Sequence, residues 1–190
     1  MAAAVTITGD RLAVRAKALS RGSGDTNEGA LARMVASWAG GTSALPRLMG
    51  LTPANFRIFL KHQFPGLKLP AGQSRSAVMD ADRDWEREDL MRLLMRYRAR
   101  RSASERWVAA MIVAACMGSD HLWHDLGLWS RAELTQLMRH NFPRLAARNN
   151  KNMRWKKFLY KQLCEEEGLY ICRSPSCEVC VEYAKCFIDT

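Results

Sequence analysis

Residues 51–67, LTPANFRIFLKHQFPGL, and 129–145, WSRAELTQLMRHNFPRL, align without gaps on Ala54/Ala132, His62/His140, Phe64/Phe142, Pro65/Pro143 and Leu67/Leu145. Each copy opens on a hydroxyl side chain suited to capping a helix: Thr52 ahead of Pro53 in the first, Ser130 three residues before Glu133 in the second. Apolar residues then recur at helical spacing, Phe56, Phe59 and Leu60 in one copy and Leu134, Leu137 and Met138 in the other. Both copies close on Phe-Pro, and proline cannot continue a helix. The pattern reads as an internal duplication of one helical unit, and two copies are too few for a solenoid.

The segments around the copies carry the same period. In SASERWVAAMIVAAC (102–116), Ser102 and Glu105 form a capping-box arrangement ahead of a run that is apolar nearly all round, as befits a helix at the centre of a bundle. DWEREDLMRLLMRYR (84–98) and NMRWKKFLYKQLCEEEG (152–168) are amphipathic, the second ending at Gly168, a natural helix terminator. No segment alternates as a strand would. The expected fold class is therefore all-α: a single helical domain with an internally duplicated helical unit and a C-terminal cysteine-rich metal loop. The expected organisation is a flexible N-terminal segment over 1–28, a helical domain over 29–168 and a cysteine-rich cluster-binding segment over 169–190.

No apolar run approaches the ~20 residues that a bilayer span needs. The first residues also lack the basic start, apolar centre and cleavage site of a secretory signal. The expectation is a cytoplasmic protein with no membrane contact. Cytosolic thiols are kept reduced, so clustered cysteines there point to metal rather than to disulfides.

Such a cluster is present. Cys172, Cys177, Cys180 and Cys186 follow the spacing C-x4-C-x2-C-x5-C, with Ser174, Pro175 and Ser176 as turn formers between the first two. Four thiolates within one short stretch suit either zinc or an iron–sulfur cluster. Structural zinc usually takes two tight pairs, and only one is present here. The opening C-x4-C-x2-C resembles plant-type ferredoxin spacing, so the spacing favours iron–sulfur while leaving zinc open.

The charge supports a second line of thought. Lys and Arg number 29 against 19 Asp and Glu, a net charge of +10, and much of the excess lies in 92–106 and 148–161. Such runs suit a solvated helix face, an oxyanion, an acidic partner or nucleic acid. No nucleic-acid-binding signature accompanies them, so nucleic acid is the less favoured partner. A zinc-stabilised helical nucleic-acid-binding or regulatory protein is kept as the alternative function, and a redox enzyme as a third.

The cysteine spacing, together with DHLWHDLGL (120–128) and LMRHNFPRLAARNNKNMRWKKFLYKQLCEEEG (137–168), resembles the NifQ family of nitrogen-fixation proteins over residues 105 to 187. The resemblance implies a carrier of molybdenum and an iron–sulfur cluster, donating molybdenum for assembly of the nitrogenase iron–molybdenum cofactor, and not an enzyme. It implies Cys172, Cys177, Cys180 and Cys186 as the cluster and metal ligands. Nitrogenase cofactor-assembly scaffold proteins and the nitrogenase iron protein are the implied partners. Molybdate is the implied oxyanion source, and Arg148, Arg154, Lys156 and Lys157 are the cations that would attract it.

Histidines complete the candidate list. His121 shares a helical face with Asp125 at i,i+4 and with His124 at i,i+3, which makes His121 the second-tier metal candidate. The alternative for this stretch is a short connector packed through Leu122, Trp123 and Leu126. His62 and His140 occupy last-turn positions that favour a role at the negative end of the helix dipole, not in a metal site. Cys116 and Cys164 are expected to be buried as small apolar residues.

Overall fold

The computed structural model describes residues 16–19, 24–67 and 84–166. Among them all regular structure is helical: α1 (Glu28–Ala39), α2 (Pro53–Gln63), α3 (Asp84–Arg96), α4 (Ser104–Cys116), α5 (Leu122–Leu126), α6 (Arg131–Asn141), α7 (Pro143–Arg148) and α8 (Trp155–Glu166). The all-α expectation holds for these residues. The cysteine-rich segment, from 169 onward, lies outside them.

Helix α4 is the axis of the bundle. Every residue from Trp107 to Val113 is buried, and α3 and α5 pack on it, while α8 packs on α3. One contiguous apolar core joins α4 to Leu31 and Met34 of α1, Phe59 of α2, Leu90 and Leu94 of α3, Leu126 of α5, Leu137 of α6 and Phe158 of α8. Trp107 and Phe64 both meet the Phe59 ring edge-on, with centroids 5.4 and 5.6 Å away, the offset that aromatic quadrupoles favour.

Helices α2 and α6 run parallel in detail. Thr52 Oγ1 accepts from Asn55 N, and Ser130 Oγ accepts from Glu133 N, both at 3.2 Å, so each expected cap forms. Each helix is 11 residues long and closes on a phenylalanine of nearly identical backbone, Phe64 at φ −137, ψ 59 and Phe142 at φ −134, ψ 55. Their buried positions correspond, Phe56, Phe59 and Gln63 in one and Leu134, Leu137 and Asn141 in the other, with Met138 added in α6. Pro143 behaves differently from a plain stop. It ends α6 and also occupies the first position of α7, where its missing N–H costs nothing.

The start of α4 keeps contacts of the expected capping box, Ser102 Oγ accepting from Ser104 N at 3.1 Å, but shifts the helix boundary. The helix begins at Ser104, with Ala103 at the cap position, instead of at Ser102. Glu105 still reaches back, but to three amides: Arg100 N at 2.9 Å, Arg101 N at 2.7 Å and Ser102 N at 3.3 Å. Arg98 approaches it at 3.4 Å as an ion pair without hydrogen-bond geometry. A fully buried carboxylate thus holds the 98–102 turn, including Arg100 in the left-handed region at φ 63.

The two buried amides at the ends of α2 and α6 meet the turn before α1. Gln63 Nε2 donates to Asp25 Oδ2 at 2.9 Å, while Asn27 and Asn141 exchange reciprocal amide hydrogen bonds at 2.7 and 2.8 Å. Ser102 and Ser104 hydroxyls donate to Asp25 at 3.0 Å, and Asn27 N donates at 2.9 Å. Burial raises the Asp25 pKa, but the Asn27 amide together with Ser104, Ser102 and Gln63 outweighs it and leaves the group below the ordinary aspartate value. This junction also explains why Asn27 makes no side-chain cap on α1: its amide is committed to Asn141 and Ser104. The expected boundary between residues 28 and 29 falls beside this packed turn.

Candidate functional site

The stretch 120–128 suits either a ligand helix or a packed connector. It forms a single-turn helix whose apolar residues Leu122 and Leu126 are buried. His121 stands at its N-cap, exposed, and His124 is also exposed, its Nδ1 3.2 Å from Asp120 Oδ2. Asp120 sits below the ordinary carboxylate range, chiefly because the His121 amide donates to it, with lesser attraction from His124, His121 and Lys156. Asp125 does not join His121. Its carboxylate turns inward to accept from Lys156 and from Asp120 N at 3.1 Å, and Lys156 also donates to Gly118 O at 2.8 Å.

The buried Asp125–Lys156 pair anchors α5 to α8, and two glycines make room for it. A Cβ on Gly118 would come within 2.5 Å of the Asp125 carboxylate. Gly127, at φ +80, ends α5, and a Cβ there would lie 2.5 Å from Ser37 Cβ. Ser37 Oγ donates to Gly127 O at 2.7 Å across this close approach.

Lys156 is therefore not available to an anion, contrary to the expectation above, and Lys157 is buried beside it. Arg154 is exposed. Arg148 has a different setting. It lines a cavity of about 370 Å³ together with Asn149, Asn150, Lys151, Met153, Phe158, Lys161, Gln162 and Glu165. Four of these lie on one face of α8 at the spacing 158, 161, 162, 165. The opposite wall is the 149–153 turn. Asn149 closes it by accepting from Met153 N at 2.7 Å and donating to Met153 O at 3.0 Å, and Arg131 donates to Asn152 O at 2.6 Å.

Arg148 is held without a carboxylate. Its Nη1 donates to Gln162 Oε1 at 3.0 Å, and its guanidinium stacks 4.8 Å from the Tyr97 ring centroid. Tyr97 OH in turn donates to Glu166 Oε1 at 3.3 Å, while Arg96 donates to Glu166 Oε2 at 3.0 Å. The one carboxylate among the described residues of the cavity wall, Glu165, is engaged by Gln162 at 2.5 Å and by Lys161 at 3.7 Å. The basic run 148–161 singled out in the sequence contains Arg148, Lys151 and Lys161, but does not show that they line one cavity. Only the closure of the 149–153 turn against α8 brings them together, and no local signal encodes it.

Cys172, Cys177, Cys180 and Cys186 lie outside the described residues. Cys116 and Cys164 are buried as expected. Among the described residues no group of three or more His, Cys, Asp or Glu is placed to hold a metal ion, and no helix is long and apolar enough to cross a membrane.

What these features define is an all-helical protein built around one buried axial helix, with a cation-lined cavity at the end of its last described helix and a four-cysteine sequence beyond it. The NifQ family model matches residues 30–188. The chain is 46% identical to Protein NifQ of Azotobacter vinelandii, over 83% of this chain and 86% of that protein. It is 38% identical to Protein NifQ of Rhodobacter capsulatus, with 83% and 85% covered, and 37% identical to Protein NifQ of Klebsiella pneumoniae, with 83% and 96% covered. The chain belongs to the NifQ family. No solved structure matches it.

Proposed function

We propose that this protein serves nitrogen fixation as a cytoplasmic carrier of molybdenum with an iron–sulfur cluster, handing molybdenum on for assembly of the nitrogenase iron–molybdenum cofactor. The observation that carries this reading is the extent of the family match: it runs from residue 30 to 188 and so includes Cys172, Cys177, Cys180 and Cys186. In this reading the four thiolates hold the cargo, since soft sulfur ligands suit iron in such clusters. The described helices of the 29–168 region are the platform, and residues 169–190 the cargo segment. The acceptors are nitrogenase cofactor-assembly scaffold proteins and the nitrogenase iron protein.

The role is a carrier's, not an enzyme's. Arg148, Lys151 and Lys161 supply cations around the cavity, and a catalytic centre would need an acid–base constellation in addition. The matched caps, lengths and closing backbones of α2 and α6 support the further reading that these helices are copies of one unit.

Metal and sulfide analysis of anaerobically purified protein tests the proposal. Iron, molybdenum and acid-labile sulfide together are the expected result, lost stepwise in Cys172→Ser, Cys177→Ser, Cys180→Ser and Cys186→Ser. A colourless protein with stoichiometric zinc would overturn it and turn attention to the +10 charge and to nucleic acid, whose binding weakens steeply with salt.

A further inference from the structure

Among the described residues, the wall of the Arg148 cavity carries three cations, Arg148, Lys151 and Lys161, and one carboxylate, Glu165. That carboxylate already has two partners, Gln162 and Lys161. Among the described residues Arg148 meets an amide oxygen and a tyrosine face, both neutral, and as an exposed side chain it keeps N–H donors for an anion that enters. Asn150 adds an exposed amide, and Phe158 and Met153 give the cavity an apolar floor that strengthens electrostatic attraction above it. At about 370 Å³ the space is roughly twelve times the ~30 Å³ share of a water molecule, room for a small hydrated ion but not for a folded partner.

We propose that this cavity binds a small tetrahedral oxyanion, with Arg148 and Lys161 as its charged ligands and Lys151 and Asn150 at the rim. Arginine is suited to the task because its planar fork presents paired donors to two oxygens of one anion. Its seat on Tyr97 and its bond to Gln162 fix the fork before the anion arrives, which lowers the entropy cost of binding. The importance of the site to the cell rests on the carrier reading above; its affinity for oxyanions does not.

Equilibrium dialysis of the full chain, metal-free and at low ionic strength, against molybdate, sulfate and phosphate separately is the test. Saturable binding of at least one of them is expected, weakened about tenfold or more in Arg148→Gln/Lys161→Gln because two charge-assisted contacts are lost. The Arg57→Gln/Lys61→Gln variant removes the same charge from α2, outside the cavity, and is expected to bind as the parent does. Circular dichroism establishes that each variant is folded. A chain with all four of Cys172, Cys177, Cys180 and Cys186 changed to serine is expected to keep the anion site. No saturable binding, equal weakening in the α2 variant, unchanged binding in the cavity variant, or loss in the four-serine chain would each overturn the proposal. The carrier reading fails separately, on the iron and molybdenum content of the anaerobic protein.

Discussion

Asp25 receives four donors from three separate stretches of chain, so its ionisation is tied to how the end of the bundle is closed. Its pKa is lowered on folding, so the carboxylate stabilises the native state above its unfolded pKa, near ~4. That contribution disappears as pH falls through the lower folded value. Asp25→Asn replaces an acceptor by an amide that presents donors to donors, and is expected to cost about 1–3 kcal/mol at pH 7. Urea unfolding as a function of pH checks both points: the gap between variant and parent should close as the solution is taken below about pH 4. Lys156→Met tests the other buried charge. It leaves Asp125 ionised and without its ammonium partner, and about 3–5 kcal/mol should be lost in the same assay, because a stranded buried charge costs more than the pair contributed. Sequence reasoning did not reach Asp25, and it gave Asp125 and Lys156 other roles. The side-chain partners that hold them lie 31 to 79 positions away, and nothing in a local window marks an aspartate that will be buried.

At the scale of elements, what could be read in advance was whatever is settled within a few residues. Thr52 and Ser130 cap the helices they precede, and the apolar spacing of 53–63 and 131–141 names the faces that become buried. Where tertiary contacts compete, the reading moved. Ser102 was expected to cap α4; its oxygen does accept from Ser104 N, while its proton goes to Asp25 and the helix starts two residues later. Pro143 marked the end of one helix without betraying that it begins another. Of the candidate site, Arg148 was named and the cavity was not, because Lys161 joins it only once α8 packs and the 149–153 turn closes. Helix α5 depends on close approach more than on propensity, being five residues long. Gly127→Ala puts a side chain into the left-handed region and against Ser37, so a loss of at least about 2 kcal/mol in thermal or denaturant unfolding is expected.

For the whole molecule, the contiguous core of the described helices, from Leu31 to Tyr160, makes a prediction about metal. Chelation of the bound metal, or Cys180→Ser, should therefore leave far-UV circular dichroism and the midpoint of helical unfolding close to those of the parent, within about 0.5 kcal/mol as for a change outside the core. A chain that melted on chelation would show the metal to be part of the fold, as it is in zinc fingers.

Tyr97 gives the molecule a mechanical character. Its hydroxyl grips Glu166, the last described residue, while the face of its ring carries the guanidinium of Arg148. One rigid phenol thus links the end of α8 to the rim of the cavity. Phenylalanine in its place would keep the ring under Arg148 and leave Glu166 the hydrogen bond from Arg96.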